Sequence, residues 1–174
     1  MIEMGVIIIT SRKPSRRTRS FVKDLARVLA GKPLTRGKTP LKDIFNKHPK
    51  IIKIDEYRGN PGKLKLYDMN DKKLILFFIS VKLQREVCRR KVKNDEGKIK
   101  MEFYGNTVAY KDLFYNFFKD FGIISEDSSF RMCFEENRRG NGPLFYIQFY
   151  KGDKKIGPLI VVKDLRVLDI ETPT

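Results

Sequence analysis

Ten Lys and Arg residues lie between Arg12 and Lys38, with Asp24 the single acid among them. Cations at this density are suited to holding anions, and Arg adds two-pronged bonds to phosphate and stacking on bases. The densest stretch, Ser11-Arg12-Lys13-Pro14-Ser15-Arg16-Arg17-Thr18-Arg19, follows the apolar run Val6 to Ile9 and opens an amphipathic segment that reaches Gly31. A strand feeding a cationic loop and then a helix start makes an anion site, because the first N–H groups of the helix and its dipole point at the ligand. Lys23, Arg27, Lys32, Arg36 and Lys38 extend the charge, and Ser11, Ser15 and Ser20 add hydroxyls suited to phosphate or sugar. The expected ligand is the phosphate backbone of RNA, read by shape rather than by base.

Other residue types that could do chemistry read as structural. Gly59-Asn60-Pro61-Gly62-Lys63 has the glycines and lysine of a phosphate loop but lacks the four-residue gap and the following Ser or Thr, so a hairpin turn is expected. His48, the single histidine, sits between Lys47 and Pro49 in a loop signal. Glu135-Glu136 and Glu126-Asp127 are adjacent carboxylates, and neighbours on a strand face opposite ways. Cys88 and Cys133 match no metal spacing and read as free thiols in a reducing compartment. No catalytic residue, metal or cofactor is therefore expected. Arg138 and Arg139, in the Asn137–Pro143 turn, are candidates for a secondary phosphate contact.

The totals agree with an anionic partner. The 174 residues suffice for one domain with an ordinary core, and a net charge of +16 with pI near 9.9 points to nucleic acid ahead of a membrane surface. Residues 1–87 carry 21 Lys/Arg against 8 Asp/Glu, while residues 88–174 carry 16 against 13, so the binding face belongs mainly to the first half. No apolar run approaches the roughly 18 residues of a membrane span, and the first residues lack a signal-peptide pattern; a cytoplasmic protein is expected.

The elements that must position these residues follow from periodicity. Val6–Thr10 reads as a buried strand and Ser15 as a helix N-cap. At about 100° per residue, Thr18, Phe21, Val22, Leu25, Val28 and Leu29 form a packing stripe opposite Arg16, Arg19, Lys23 and Arg27, with Gly31 as the C-cap. Leu34–Arg36 is an extended link, Thr39-Pro40 starts a second helix through about Lys47, and Ile51–Tyr57 with Lys63–Asp68 forms a hairpin. Leu74–Val81 is a strand. Leu83–Asn94 reads as another, with Ile99–Tyr104 its hairpin partner. Tyr110–Phe121 is a helix in which Phe114, Tyr115, Phe117 and Phe118 belong to the core. Phe130–Glu135, Leu144–Tyr150 and Ile156–Lys163 are antiparallel strands, followed by Asp164–Glu171 as a last one. A helix followed by hairpin strands thus occurs twice, which suggests an internal duplication.

The segment from Ile8 to Leu25, with its Thr-Ser-Arg start, Arg-rich loop and Phe21-x-x-Asp24-Leu25 helix, resembles the signature of the Brix-domain family of ribosome-biogenesis factors, and the chain length resembles that of its short archaeal members. The resemblance implies one Brix-like domain over 1–174, an α/β fold of two pseudo-repeated halves (about 1–87 and 88–174) of mixed and antiparallel sheet with packed helices, each like the anticodon-binding domain of class II aminoacyl-tRNA synthetases. It implies binding to ribosomal precursor RNA without catalysis, in rRNA processing and subunit assembly, with other ribosome-assembly proteins as further partners and no membrane. Carried over by position, Ser11, Arg12, Lys13, Ser15, Arg16, Arg17, Thr18, Arg19 and Lys23 would contact RNA, and Phe21, Val22 and Leu25 would pack. The alternatives are an RNA-processing nuclease or modifying enzyme, and a scaffold for an acidic protein.

Overall fold

The first strand, β1 (Ile7–Thr10), is buried on both faces, which is why its sequence is an unbroken apolar run rather than an alternation. In the computed structural model, which describes residues 5–34 and 37–170, β1 leads through the basic loop into α1 (Arg16–Val28). The chain continues as β2 (Lys32–Pro33), α2 (Leu41–Lys47), β3 (Lys50–Tyr57), β4 (Asn60–Asp68) and β5 (Lys73–Lys82). After these come α3 (Gln84–Val87), β6 (Lys100–Phe103), a 3₁₀ turn at Gly105–Tyr110, α4 (Lys111–Phe118), β7 (Phe130–Glu136), β8 (Phe145–Lys151) and β9 (Lys154–Asp169).

The nine strands of the described residues form one sheet in the order β2-β1-β3-β4-β5-β9-β8-β7-β6. In the first series, β1-α1-β3-β4-β5, β1 lies parallel to β3 and the rest are antiparallel. In the second, β6-α4-β7-β8-β9, β6 lies parallel to β7 and the rest are antiparallel. The last strands of the two series, β5 and β9, pair antiparallel in the interior of the sheet. The architecture is the mixed α/β fold with a repeated strand-helix-hairpin order.

One face of the sheet carries α1 and α4. Ile52, Ile54, Leu64, Leu66, Ile75 and Phe77 meet Phe21 and Leu25 of α1, Leu29 at its C-cap, and Phe114 and Phe118 of α4 in one cluster. Phe114 lies 5.4 Å from Phe77 and 4.5 Å from Phe134, ring centre to ring centre, so it joins strands from both halves. On the other face α2 covers β1 and β3 through Ile44 against Ile7, Ile9 and Ile51.

Several local expectations are corrected. The left-handed residue ending α1 is Ala30 (φ +51°), and the Gly31 N–H reaches the Ala26 carbonyl at 2.8 Å. Gly31 serves a close approach, since a Cβ there would lie 2.8 Å from the Val6 carbonyl oxygen. Pro40, not Thr39, is the N-cap of α2. The β3–β4 connection is a two-residue turn at Arg58-Gly59 rather than a loop through Gly62. Leu83–Asn94 is α3 and a loop instead of a strand, and β6 pairs parallel with β7 rather than in a hairpin. The strands expected at 156–163 and 164–171 are one, β9, shifted in register opposite Phe78 and Ile79. Tyr115 is 49% exposed and lies outside the core. Both cysteines are free, and burial pushes the Cys133 thiol up to about 12.

Lys50, only 5% exposed, ties the halves together from the start of β3. Its Nζ donates to the carbonyls of Asn116 and Phe117 at 2.9 and 3.1 Å, which are free acceptors in the last turn of α4. It also lies 2.8 Å from Asp120 and 3.5 Å from Asp68. Removing this one ammonium strands two carbonyls and a buried carboxylate, so Lys50→Met should lower stability by about 3 kcal/mol in urea unfolding.

Candidate nucleic-acid interface

Ser15 ends the basic loop and starts α1. Its backbone is extended (φ −65°, ψ 166°), and its Oγ accepts the Thr18 N–H at 3.1 Å, satisfying a free donor of the first turn. The same hydroxyl donates to the Gly59 carbonyl at 2.7 Å, and the Ser15 N–H donates to Glu56 Oε1 at 2.6 Å. The β3–β4 turn therefore holds the helix start in place. That turn needs positive φ at both central residues, +52° at Arg58 and +78° at Gly59, the two-residue form that suits the twist of a hairpin. Burial pushes the Glu56 carboxyl up, but the hydrogen bonds to Thr18 and Ser15 outweigh it and leave the group below its ordinary range.

From this fixed start α1 turns Arg19, Val22 and Lys23 toward the β1–β2 edge, and a groove of about 650 Å³ opens between helix and edge. Ile8, Val22, Pro33 and Leu34 give it an apolar floor, while Ser11, Arg12 and Lys13 from the loop, Arg19 and Lys23 from the helix and Lys38 from beyond β2 supply polar and cationic walls. Lys13 adopts a left-handed backbone (φ +53°), uncommon for a non-glycine residue. An apolar floor under converging cations can hold a phosphate on its rim and the flat face of a sugar or base below.

Of the residues expected to bind, Ser11, Arg12, Lys13, Arg19, Lys23 and Lys38 are thus brought together. Arg16 is exposed on the first turn of α1. Ser15 and the buried Thr18 are used in the cap. Arg17 turns to the other side of the helix, 3.1 Å from the Val81 carbonyl and 2.9 Å from Glu86. Arg27 bonds Asp24 at 2.6 Å. Lys32 is exposed on β2, and Arg36 lies outside the described residues. Arg138 and Arg139 sit on the β7–β8 turn away from the groove, with Arg138 at 3.4 Å from Glu136.

A second depression, of about 280 Å³, was not foreseen from the sequence. It lies between the β3–β4 turn and the end of β5, with Arg17, Arg58 and Lys163 on its border. Tyr57, 65% exposed, also lines it, and the Arg58 guanidinium stands 5.2 Å from the Tyr57 ring centre. The available signal was the two-residue turn itself, which projects its flanking side chains beyond the sheet. Among the described residues no group of three or more His, Cys, Asp or Glu side chains is placed to hold a metal ion, and no helix is long and apolar enough to cross a membrane.

The sheet and the groove at the start of α1 define a basic α/β protein with a cationic groove along one sheet edge. No family model matches the chain. A probable Brix domain-containing ribosomal biogenesis protein of Methanococcus maripaludis is 39% identical over 172 residues, covering 95% of this chain and 100% of the relative. One from Sulfurisphaera tokodaii is 27% identical over 169 residues, 89% of each. The crystal structure of Mil, an archaeal Imp4-like protein, has a TM-score of 0.65 at 22% identity and covers 93% of this chain and 99% of its own. That of a probable ribosomal biogenesis protein from Aeropyrum pernix K1 has a TM-score of 0.69 at 24% identity, over 92% and 96%. The chain belongs to the family of Brix domain-containing ribosomal biogenesis proteins.

Two outcomes follow from the Ser15 clamp. Ser15→Ala should cost about 1 kcal/mol of stability in urea unfolding through the lost cap. Because Glu56 is held below its ordinary 4.5, its contribution is complete above that pH and is lost as acid protonates it. Stability should therefore fall on acidification below about pH 4.5, and less steeply in Glu56→Gln.

Proposed function

We propose that this protein is a non-catalytic factor that binds ribosomal precursor RNA during rRNA processing and subunit assembly. The observation that carries the reading is the groove beside α1, where cations from three segments converge over an apolar floor. Ribosome biogenesis is the role for which its relatives are named. The RNA backbone would lie along Arg12, Lys13, Arg19 and Lys23, with Arg16 beside them, and the depression at Tyr57 and Arg58 would receive an unstacked nucleotide from the same strand. Phosphate contacts of this kind position an RNA and carry little sequence information, which suits a protein that holds a precursor segment while other assembly factors act in the cytoplasm.

Arg17 and Arg27 enter this reading as supports. Each is committed to a carboxylate within the fold, Arg17 to Glu86 and Arg27 to Asp24. Their replacement would disturb the seating of α1 before it removed a ligand contact.

The test is binding of labelled precursor-rRNA fragments by fluorescence anisotropy over a range of salt. Changing Arg12, Arg19 and Lys23 together to Glu should weaken binding and lower the slope of log K against log salt by about 0.7 to 0.9 per lost contact. Unchanged affinity would remove the groove as the site. Incubation of the same RNA with pure protein and Mg²⁺ should leave it intact, and defined cleavage products would overturn the non-catalytic role.

A further inference from the structure

We infer a second RNA-phosphate site, built by the loop after α3 and the β8–β9 turn; this rests on the RNA-binding reading above. Arg90, Lys91 and Lys93 from the loop meet Lys151 and Lys154 from the turn around a depression of about 290 Å³. Among the described residues, no carboxylate lies within ion-pair distance of Arg90, Lys91, Lys93 or Lys154. The acid acting on Lys151 is Glu96, whose carboxylate accepts bonds from Ser128 and Ser129.

The loop is a fixed structure. At its front, the buried Gln84 side chain donates to the Val92 and Gly157 carbonyls at 3.1 and 3.3 Å and accepts the Val92 N–H at 3.2 Å. At its back, the buried Asn94 side chain donates to the Val28 and Lys98 carbonyls at 3.0 and 2.8 Å, while the Asn94 N–H reaches the Arg27 carbonyl at 2.9 Å. The Cys88 thiol points to the Ile156 carbonyl at 3.4 Å. Two buried amides thus hold a run of like charges against a second pair of like charges. A solvated coil would spread such charges apart, whereas a bound polyanion relieves their repulsion.

The chemistry of the depression favours nucleic-acid phosphate over a protein. Protein interfaces centre on exposed aromatic or aliphatic anchors, and here the exposed lining side chains are those of Arg90, Lys91, Lys93, Lys151 and Lys154, with Val92 half-buried beneath them. Strand pairing puts the site beyond the end of β5, where Lys82 pairs with Leu159 of β9. β9 lies four strands from β1 in the sheet, roughly 20 Å at about 4.8 Å per strand. That separation is too great for one phosphate to serve both sites. A single RNA segment would cross α1 and be held at two points, with the second site adding its own counterion release to the salt dependence.

The experiment uses the full chain and a fluorescein-labelled RNA stem-loop with single-stranded flanks, with polyglutamate as a protein-like polyanion. The triple variant Arg90→Gln, Lys91→Gln, Lys93→Gln should lower the slope of log K against log salt by about 2, at 0.7 to 0.9 per contact. A groove variant, Arg12→Gln, Arg19→Gln, Lys23→Gln, should lower it independently. Both sets of cations are exposed, so the unfolding midpoints should match wild type. If the loop variant keeps the wild-type affinity and slope while the groove variant loses them, the second site is wrong and the RNA reading stands. If neither variant changes RNA binding, both are wrong. Loss of polyglutamate binding alone in the loop variant would assign the patch to an acidic protein and overturn the inference.

Discussion

The antiparallel pairing of β5 with β9 is the constraint on which the rest of the molecule depends. Ten residues of β5, Lys73 to Lys82, pair with Asp169 to Leu159, and among the described residues no other strand pairing joins the first series to the second. Because this contact lies inside the sheet, the two series share one core instead of meeting as separate lobes. Phe114 spans it between Phe77 and Phe134, and Lys50 spans it by holding the end of α4 from β3. The edges are left to β2 and β6, of 2 and 4 residues, too short to template pairing with another chain. A rigid platform would suit the RNA ligand proposed above, held mainly by phosphate contacts. Each such contact is weak in water, and affinity accumulates when the cations are already in place.

The placement of the acids explains how a chain with 37 Lys and Arg keeps exposed cationic sites despite its 21 Asp and Glu. Many carboxylates are spent on architecture. Glu56 holds the Ser15 N–H, Glu86 holds the Leu83 N–H and Arg17, and Asp55 sits 2.7 Å from both Lys53 and Lys65. Asp24 is the costly case. Burial raises its pKa, opposed by the Gln84 N–H and by Arg27, and in return it fixes the start of α3 against α1. At physiological salt, charges more than about 8 Å apart on the surface are largely screened. Acids committed within the fold therefore do little to neutralise the groove.

Much of this was legible in the sequence wherever a period was long or a local rule was strong. The unbroken Val6–Ile9 run, the stripe Thr18, Phe21, Val22, Leu25, Val28 and Leu29, and the Ser15 cap stand in the structure as read, since each rests on spacing within a single element. The excess of Lys and Arg between Arg12 and Lys38 was plain from charge counting, and the structure brings Arg12, Lys13, Arg19, Lys23 and Lys38 of that run to one groove. What could not be read was how side chains are spent. Arg17 and Arg27 occupy the same cationic run as Arg19 and Lys23, but helical angle turns Arg17 to the other side of α1, where it meets Glu86, and Arg27 is engaged by Asp24. The left-handed position at Ala30 was hidden for a similar reason, because the glycine beside it is needed against Val6.

The segment from Leu83 to Lys98 shows the physical source of the largest misreading. Val87, Arg89 and Lys91 alternate as a strand would, but an alternation predicts a strand only if a neighbour supplies ladder partners. Here those partners come from side chains: Glu86 takes the Leu83 N–H, Gln84 takes both backbone groups of Val92, and Asn94 takes the N–H groups of Glu96 and Gly97. Short polar side chains that satisfy nearby backbone compete directly with secondary structure. With the loop's hydrogen bonds met in this way, β6 is free to pair parallel with β7 across α4. That arrangement repeats the β1-α1-β3 unit of the first series and leaves Arg90, Lys91 and Lys93 outside the sheet, facing Lys151 and Lys154.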